Sequence, residues 1–114
     1  MADCLFCRIV KKQIPATVVE ETDQTLAFRD INPRAPVHVL VIPKDHIPAL
    51  MDFRPEHAAI LMAVHQTIQK VAEKENVAHS GFRVVVNNGK DSGQAVAHVH
   101  YHVLGGRGLN WPPG

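Results

Sequence analysis

Three histidines at every second position, His98, His100 and His102, with Val99, Tyr101 and Val103 between and after them, restrict the local backbone more than any other stretch of this chain. Side chains alternate faces along an extended strand, so His98 to Val103, entered from a loop over Lys90–Gln94, reads as a strand with three imidazoles on one face and an apolar set on the other. Successive imidazoles would lie roughly 6.5–7 Å apart at Cα, a spacing that suits a phosphate group. β-Branched or charged residues would make a better solvent face, so the pattern points to chemistry. The competing reading is a metal-binding or buried hydrogen-bonding strand, but residues two apart sit too far from each other for one small ion with bonds of about 2.1 Å.

The rest of the chain supplies a frame for that strand. Apolar residues at helical spacing in residues 4–12 predict a short helix that Gln13-Ile14-Pro15 ends. Thr17–Glu21 and Thr25–Phe28 read as a hairpin across Thr22-Asp23-Gln24. The proline loop 32–36 leads into Val37–Pro43, a near-continuous apolar run that predicts a central strand. His38 is the polar residue in that run, and it either hydrogen-bonds inside the core or faces a working site. Asp52-Phe53-Arg54-Pro55 starts a long helix to about residue 75, with Leu61, Val64, Ile68 and Val71 as its core stripe. His57, His65 and His79 read as surface or packing residues. Gly81–Val86 is a further strand, closed by the turn signal Asn87-Asn88-Gly89. The expected fold is α+β: a five-stranded antiparallel sheet with one long and one short helix, forming one domain over residues 1–114.

Composition narrows the function classes. With 114 residues, a net charge of +1 and 20% charged residues, the chain shows neither a basic nucleic-acid surface nor an acidic tail. It has no apolar run near the roughly 20 residues that span a membrane, and no signal-peptide order at its start. No nucleic acid, no membrane and a cytoplasmic location are therefore expected. Its two cysteines, Cys4 and Cys7, are spaced C-x-x-C, which in a reducing compartment reads as a metal or redox pair before a disulfide.

His98-Val99-His100-Tyr101-His102-Val103-Leu104 resembles the His-φ-His-φ-His-φ-φ signature of the histidine triad (HIT) family, φ being apolar. His38 to Lys44 with His46, the Cys4-to-Cys7 start, Gly105-Gly106-Arg107 and the Trp111-Pro112-Pro113-Gly114 tail extend the likeness over essentially the whole chain, closest to the Hint branch. The resemblance implies a homodimer whose sheet continues across the partner. It implies a hydrolase that cleaves purine nucleoside phosphoramidates of the adenosine 5′-monophosphoramidate type at the α-phosphorus. By the same likeness His100 is the nucleophile, and His38, His98 and His102 are the other catalytic histidines. Asn87 is a phosphate ligand, and Asp30 and Ile31 contact ribose and base. Ala95 stands where the family often has Ser, which removes one hydroxyl contact. No organic cofactor is expected. A structural zinc is implied on Cys4, Cys7, His46 and His98, against the plainer alternative of two reduced cysteines packing a short helix.

This chemistry suits these residues. A neutral imidazole is a nucleophile near pH 7, and its phosphorus adduct is labile. The attacking nitrogen must be free, so the other should donate to a backbone carbonyl, while His102 or His38 protonates the departing amine. With no Lys or Arg in the triad strand, the backbone N–H groups of Gly93, Gln94 and Ala95 are the expected phosphate cradle. Ile60, Met62 and Ala63 give the long helix a second apolar face for a partner subunit, and Trp111 is expected to pack near the partner's active site. A dinucleoside polyphosphate hydrolase is the rival enzyme, and a non-catalytic nucleotide sensor the rival of another class.

Overall fold

Five strands pair antiparallel throughout in the order β1-β2-β3-β5-β4 in the computed structural model, which describes residues 4–114. They are β1 (Val18–Glu21), β2 (Thr25–Arg29), β3 (Val37–Pro43), β4 (Phe82–Val86) and β5 (Tyr101–Gly105). Helix α1 spans Leu5–Val10 and α2 spans Ala58–Lys74. The α+β architecture and the central place of β3 are as the sequence pattern predicts.

All seven residues of β3 are buried because both of its faces are covered. Val37, Val39 and Val41 join Ala27, Tyr101 and Val103 against Val64, Ile68, Val71 and Ala72 of α2. Leu40 and Ile42 lie on the opposite face with Leu26, Phe28 and the α1 residues Phe6 and Ile9. A strand covered on both sides loses the polar alternation of a half-exposed one, which is why its sequence runs almost unbroken in valine, leucine and isoleucine. The β1–β2 turn is held by Thr22, whose Oγ1 accepts from the Gln24 and Thr25 N–H groups at 3.2 and 3.0 Å. The Thr25 and Thr67 hydroxyls, both buried, lie 2.7 Å apart and so satisfy each other where α2 crosses the sheet.

Two expectations need correction. The buried stripe of α2 runs through Val64, Thr67, Ile68, Val71 and Ala72, while Leu61 is 49% exposed. Ile60, one position earlier and about 100° round the helix, takes the place against the core assigned to Leu61. The strand expected to carry all three triad histidines begins only at Tyr101, so His98 and His100 precede it and only His102 lies within it.

Pro43 accounts for that late start. The Lys44 N–H reaches the Gln24 carbonyl and the Asp30 N–H reaches the His38 carbonyl, so even-numbered β3 residues address β2 and odd-numbered ones address β5. The β3–β5 register, with Val41 opposite Tyr101, would set Pro43 opposite Val99, but proline has no N–H for the ladder. Val99 donates instead to the Ile47 carbonyl at 2.7 Å, and the chain bends away over residues 96–98.

Candidate functional site

His38 on β3 and His102 on β5 share the face that α1 partly covers. Leu40 sits opposite His102 and Leu104 opposite His38, so the two histidines are diagonal neighbours. The His38 Nε2 and His102 Nδ1 atoms are 2.9 Å apart. The Arg34 backbone N–H donates to His38 Nδ1 at 2.9 Å, and a backbone N–H can only donate. His38 Nδ1 therefore carries the lone pair, its Nε2–H donates to His102 Nδ1, and the proton of neutral His102 stands on Nε2. Asp30 completes the group, with Oδ2 3.4 Å from His38 Nε2 and Oδ1 accepting from the Asn32 N–H at 2.8 Å.

Both histidines are held neutral. Burial lowers the His38 pKa, aided by the Arg34 charge and opposed by Asp30. Burial also pushes His102 down to about 4, with His100 and His38 adding to the effect and Asp30 opposing it.

His100 is fixed the other way round. Its Nδ1 lies 2.9 Å from the His98 carbonyl, which accepts the Nδ1–H and leaves the Nε2 lone pair unpaired by that bond. This is the carbonyl that a histidine nucleophile requires. The Phe6 ring stands edge-on to His100 with centroids 5.1 Å apart, and the His102 ring lies 5.1 Å away on another side. Extending the β4–β5 register one step beyond Val86 and Tyr101 sets Asn87 level with His100.

The other expected site residues are distributed around this centre. Ile31 is 92% exposed in the loop after β2. Gly93 is left-handed at φ +83°, which its lack of Cβ permits. Two of the three N–H groups expected to cradle phosphate bond within the turn: the Gly93 N–H donates to the Lys90 carbonyl and the Gln94 N–H to the Gly89 carbonyl. The Gln94 side chain is also engaged, with Oε1 accepting from the Gly89 N–H and Nε2 donating to the Pro48 and Val96 carbonyls. Only Ala95 of the three stands outside the turn's hydrogen bonds. Trp111 is 80% exposed, with the Arg83 guanidinium 5.8 Å from its ring centroid.

A second histidine cluster lies behind the first. Cys4 caps α1 and Cys7 lies in its first turn, so the C-x-x-C spacing turns both sulfurs to one side. Cys4 Sγ is 3.3 Å from His98 Nδ1, while Cys7 Sγ is 3.3 Å from His46 Nδ1 and 3.6 Å from His98 Nδ1. Tetrahedral zinc with bonds of about 2.3 Å to sulfur and 2.0–2.1 Å to nitrogen sets such S···N pairs about 3.6 Å apart. The His98 Nε2–H donates to the Pro43 carbonyl at 2.8 Å, which leaves Nδ1 as a lone pair toward the sulfurs, the usual support for a metal-bound imidazole. Without a cation the pocket disfavours thiolate, since burial raises the Cys7 pKa and the hydrogen bond and charge of Cys4 raise it further. The four residues fit zinc. Both ring nitrogens of His98 are thus engaged, Nε2–H by the Pro43 carbonyl and Nδ1 by the sulfurs.

Asp30, His38 and His102 also bring three donor atoms within 4.8 Å of one another, but they do not fit a metal. The Arg34 N–H aimed at His38 Nδ1 requires the proton on Nε2, the atom that would have to bind the ion.

The HIT domain family matches residues 11–109. The chain belongs to the HIT family. A 14 kDa zinc-binding protein of Brassica juncea is 46% identical over 98% of this chain and 100% of its own length. The adenylylsulfatase HINT1 of Arabidopsis thaliana is 47% identical over 96% of this chain and 76% of its own. Among solved structures, a HIT family hydrolase from Legionella pneumophila superposes with a TM-score of 0.96 at 46% identity, covering 98% of this chain and 100% of that one. The family and fold expected from the triad motif are thus the observed ones.

A backbone carbonyl behind His100 was expected, but what the sequence pattern missed in this HIT site is which main-chain groups take part: the carbonyls of His98 and Pro43 and the N–H of Arg34 set the state of His100, His98 and His38. The histidine in an apolar strand at position 38 was the available signal for Arg34: it needs a polar neighbour, and the proline loop just before it is the nearest source.

Proposed function

We propose that this protein hydrolyses purine nucleoside phosphoramidates at the α-phosphorus through a nucleotidyl-His100 intermediate. The observation that carries the proposal is the His100 Nδ1–H bond to the His98 carbonyl, which commits Nε2 to attack. The lone pair on Nε2 forms the N–P bond while the P–N bond to the leaving amine breaks. A proton taken up from solvent as substrate binds charges His102, whose Nε2–H then protonates that nitrogen and returns the His38–His102 pair to its neutral form. A water then attacks phosphorus and gives a proton back to the histidine pair. The P–N bond to His100 breaks, and the nucleoside monophosphate leaves. Asp30 and Ile31 are proposed for ribose and base, and Asn87 with the Ala95 N–H for phosphate.

A neutral His102 suits this role, because it keeps positive charge from accumulating beside His100 before substrate arrives. It also distinguishes substrates. An amine leaves only when protonated, whereas sulfate leaves as a stable anion, so an adenylyl sulfate substrate, suggested by the adenylylsulfatase relative, would depend less on His102. A dinucleoside polyphosphate substrate remains a variant of the same α-phosphorus chemistry. A pure nucleotide sensor would have no use for a nucleophile with its tautomer fixed.

The remaining readings extend from this one. Zinc held by Cys4, Cys7, His46 and His98 would fix α1 against the segment before β5 and, with four protein donors, would leave no open position for substrate. The exposed Leu61 and Met62 on α2, and Phe82 and Val84 on the edge strand β4, support a homodimer with the sheet continued through β4. The free cysteines suit the reducing cytoplasm. No helix among the described residues is long and apolar enough to cross a membrane.

The test is mass spectrometry of protein quenched during turnover of adenosine phosphoramidate. A nucleotidyl adduct on His100 is expected. Turnover with no adduct on any histidine under rapid quenching would reject the covalent route.

A further inference from the structure

Arg107 has no part in the chemistry described so far, yet it is tied to the active-site loop. Its Nη2 donates to the Arg34 carbonyl at 2.8 Å and its Nη1 donates to the Gly108 carbonyl at 2.9 Å. Arg34 is the residue whose N–H fixes His38. In the loop Asn32-Pro33-Arg34-Ala35-Pro36 two residues are prolines without an N–H, so few donors exist there to turn toward His38. The residue before Arg107 contacts the same loop. Gly106 is left-handed at φ +87°, and a Cβ placed on it would lie 2.9 Å from Pro36 Cβ. Two consecutive residues after β5 thus hold the loop, one by a charge-assisted hydrogen bond and one by close backbone approach.

We propose that Arg107 is a positioning residue, which by gripping the Arg34 carbonyl keeps the Arg34 N–H on His38 Nδ1 and so directs the proton of His102 to Nε2. The inference rests on the proposed role of His102 as proton donor to the leaving group. The connection runs through four groups in series: Arg107 guanidinium to Arg34 carbonyl, Arg34 N–H to His38 Nδ1, His38 Nε2–H to His102 Nδ1, and His102 Nε2–H outward. The carbonyl and the N–H of Arg34 belong to the peptide groups on either side of its Cα, so releasing one frees the dihedral angles that aim the other. A released His38 can place its proton on Nδ1. Its Nε2 then accepts from His102 Nδ1–H, and His102 presents a lone pair where the leaving amine needs a proton. Arg107 therefore governs the direction of a proton it never touches.

The experiment uses full-length protein labelled with nitrogen-15, as wild type, Arg107→Ala, Arg107→Lys and Gly106→Ala. The readouts are imidazole nitrogen shifts of His38 and His102, hydrogen exchange of the Arg34 amide, and kcat and KM for adenosine phosphoramidate beside a substrate with a nitrophenolate leaving group. In Arg107→Ala the Arg34 amide is expected to exchange about tenfold faster or more, and His38 to show a mixture of tautomers. The kcat for phosphoramidate should fall about five- to tenfold while KM and the nitrophenolate rate change less than about twofold. Arg107→Lys, which keeps one donor, should recover part of the loss, and Gly106→Ala should reproduce it by displacing Pro36. Should Arg107→Ala fail to fold, the other two variants carry the same readouts. Unchanged Arg34 exchange and unchanged tautomers in the folded variants would overturn the proposal. Altered tautomers with unchanged phosphoramidate turnover would uphold the role of Arg107 and reject His102 as the proton donor, so the two readings fail separately.

Discussion

The Cys4, Cys7, His46 and His98 cluster and the Asp30, His38 and His102 cluster look alike as inventories: buried or half-buried donors gathered from distant parts of the chain, each set within 4.8 Å. They differ in what the backbone gives them. At the first, the Pro43 carbonyl accepts a hydrogen bond from His98 Nε2–H and so turns a lone pair inward, and an imidazole nitrogen and two sulfurs converge on one point. At the second, the Arg34 N–H takes up a lone pair of His38 and turns a proton inward, so the ring nitrogens form a line along which a proton can move. A carbonyl behind a histidine prepares it to bind a cation, and an N–H behind it prepares it to pass a proton. The difference is one of main-chain polarity rather than residue type.

The sharpest way to break this contrast is at His100, which lies between the two clusters. His100→Ala should lower kcat for phosphoramidate by about a thousandfold or more, an effect of about 4 kcal/mol, with nucleotide binding by calorimetry nearly unchanged. A loss under about tenfold would place the nucleophile elsewhere. Next in size is Cys7→Ala, which should abolish zinc binding by elemental analysis and reduce stability by about 2–4 kcal/mol in urea titration, with a smaller effect on kcat in the protein that remains folded. If wild type purified without chelator holds well under half an equivalent of zinc and both thiols react freely, the first cluster is packing alone.

The second cluster predicts a pH effect of its own. His38 and His102 have lowered pKa values in the folded state, so the unfolded chain binds more protons as pH falls. Their contribution to stability is complete above the unfolded histidine pKa of about 6.5 and is lost as pH falls from there toward about 4, the folded value of His102. Acidification through that window should cost on the order of 2 kcal/mol, and His102→Gln should flatten the loss; a wild-type profile level from pH 7 to 4.5 would contradict the burial argument. The smallest effect is a predicted absence. Asp30→Asn should leave the zinc content of the purified protein unchanged, because the second cluster does not take the ion, and a fall in stoichiometry would show that it does.

The fold was legible wherever side chains decide it. The unbroken apolar run of β3 specified a strand covered on both faces, and the threonines around Asp23 specified a tight turn. Leu61 was misread because a stripe starting at 60 and one starting at 61 both return at spacings of three and four, and the choice depends on how the helix is rotated over the sheet. The strand was read as including His98 and His100 because Pro43, which denies the ladder its donor, lies 56 positions before Val99 in the chain. The metal donors could be assembled from the C-x-x-C pair and the family resemblance, and the fold brings all four together. The roles expected of His38, His98, His100 and His102 came from the resemblance, whereas the backbone groups of His98, Pro43 and Arg34 that orient their rings were not legible, since tertiary pairing brings them near.

Pro43 bears on any attempt to copy this site into another scaffold. A designer transplanting the alternating histidines with a residue other than proline at the facing position would restore the missing donor, and the ladder could then zip onward through Val99. The bend at 96–98 would straighten and swing the His98 ring out of reach of the cysteines. The His98 carbonyl would turn into the sheet and no longer meet His100 Nδ1. What must be transplanted is the place where the sheet stops, a punctuation mark written on a different strand from the residues whose meaning it sets.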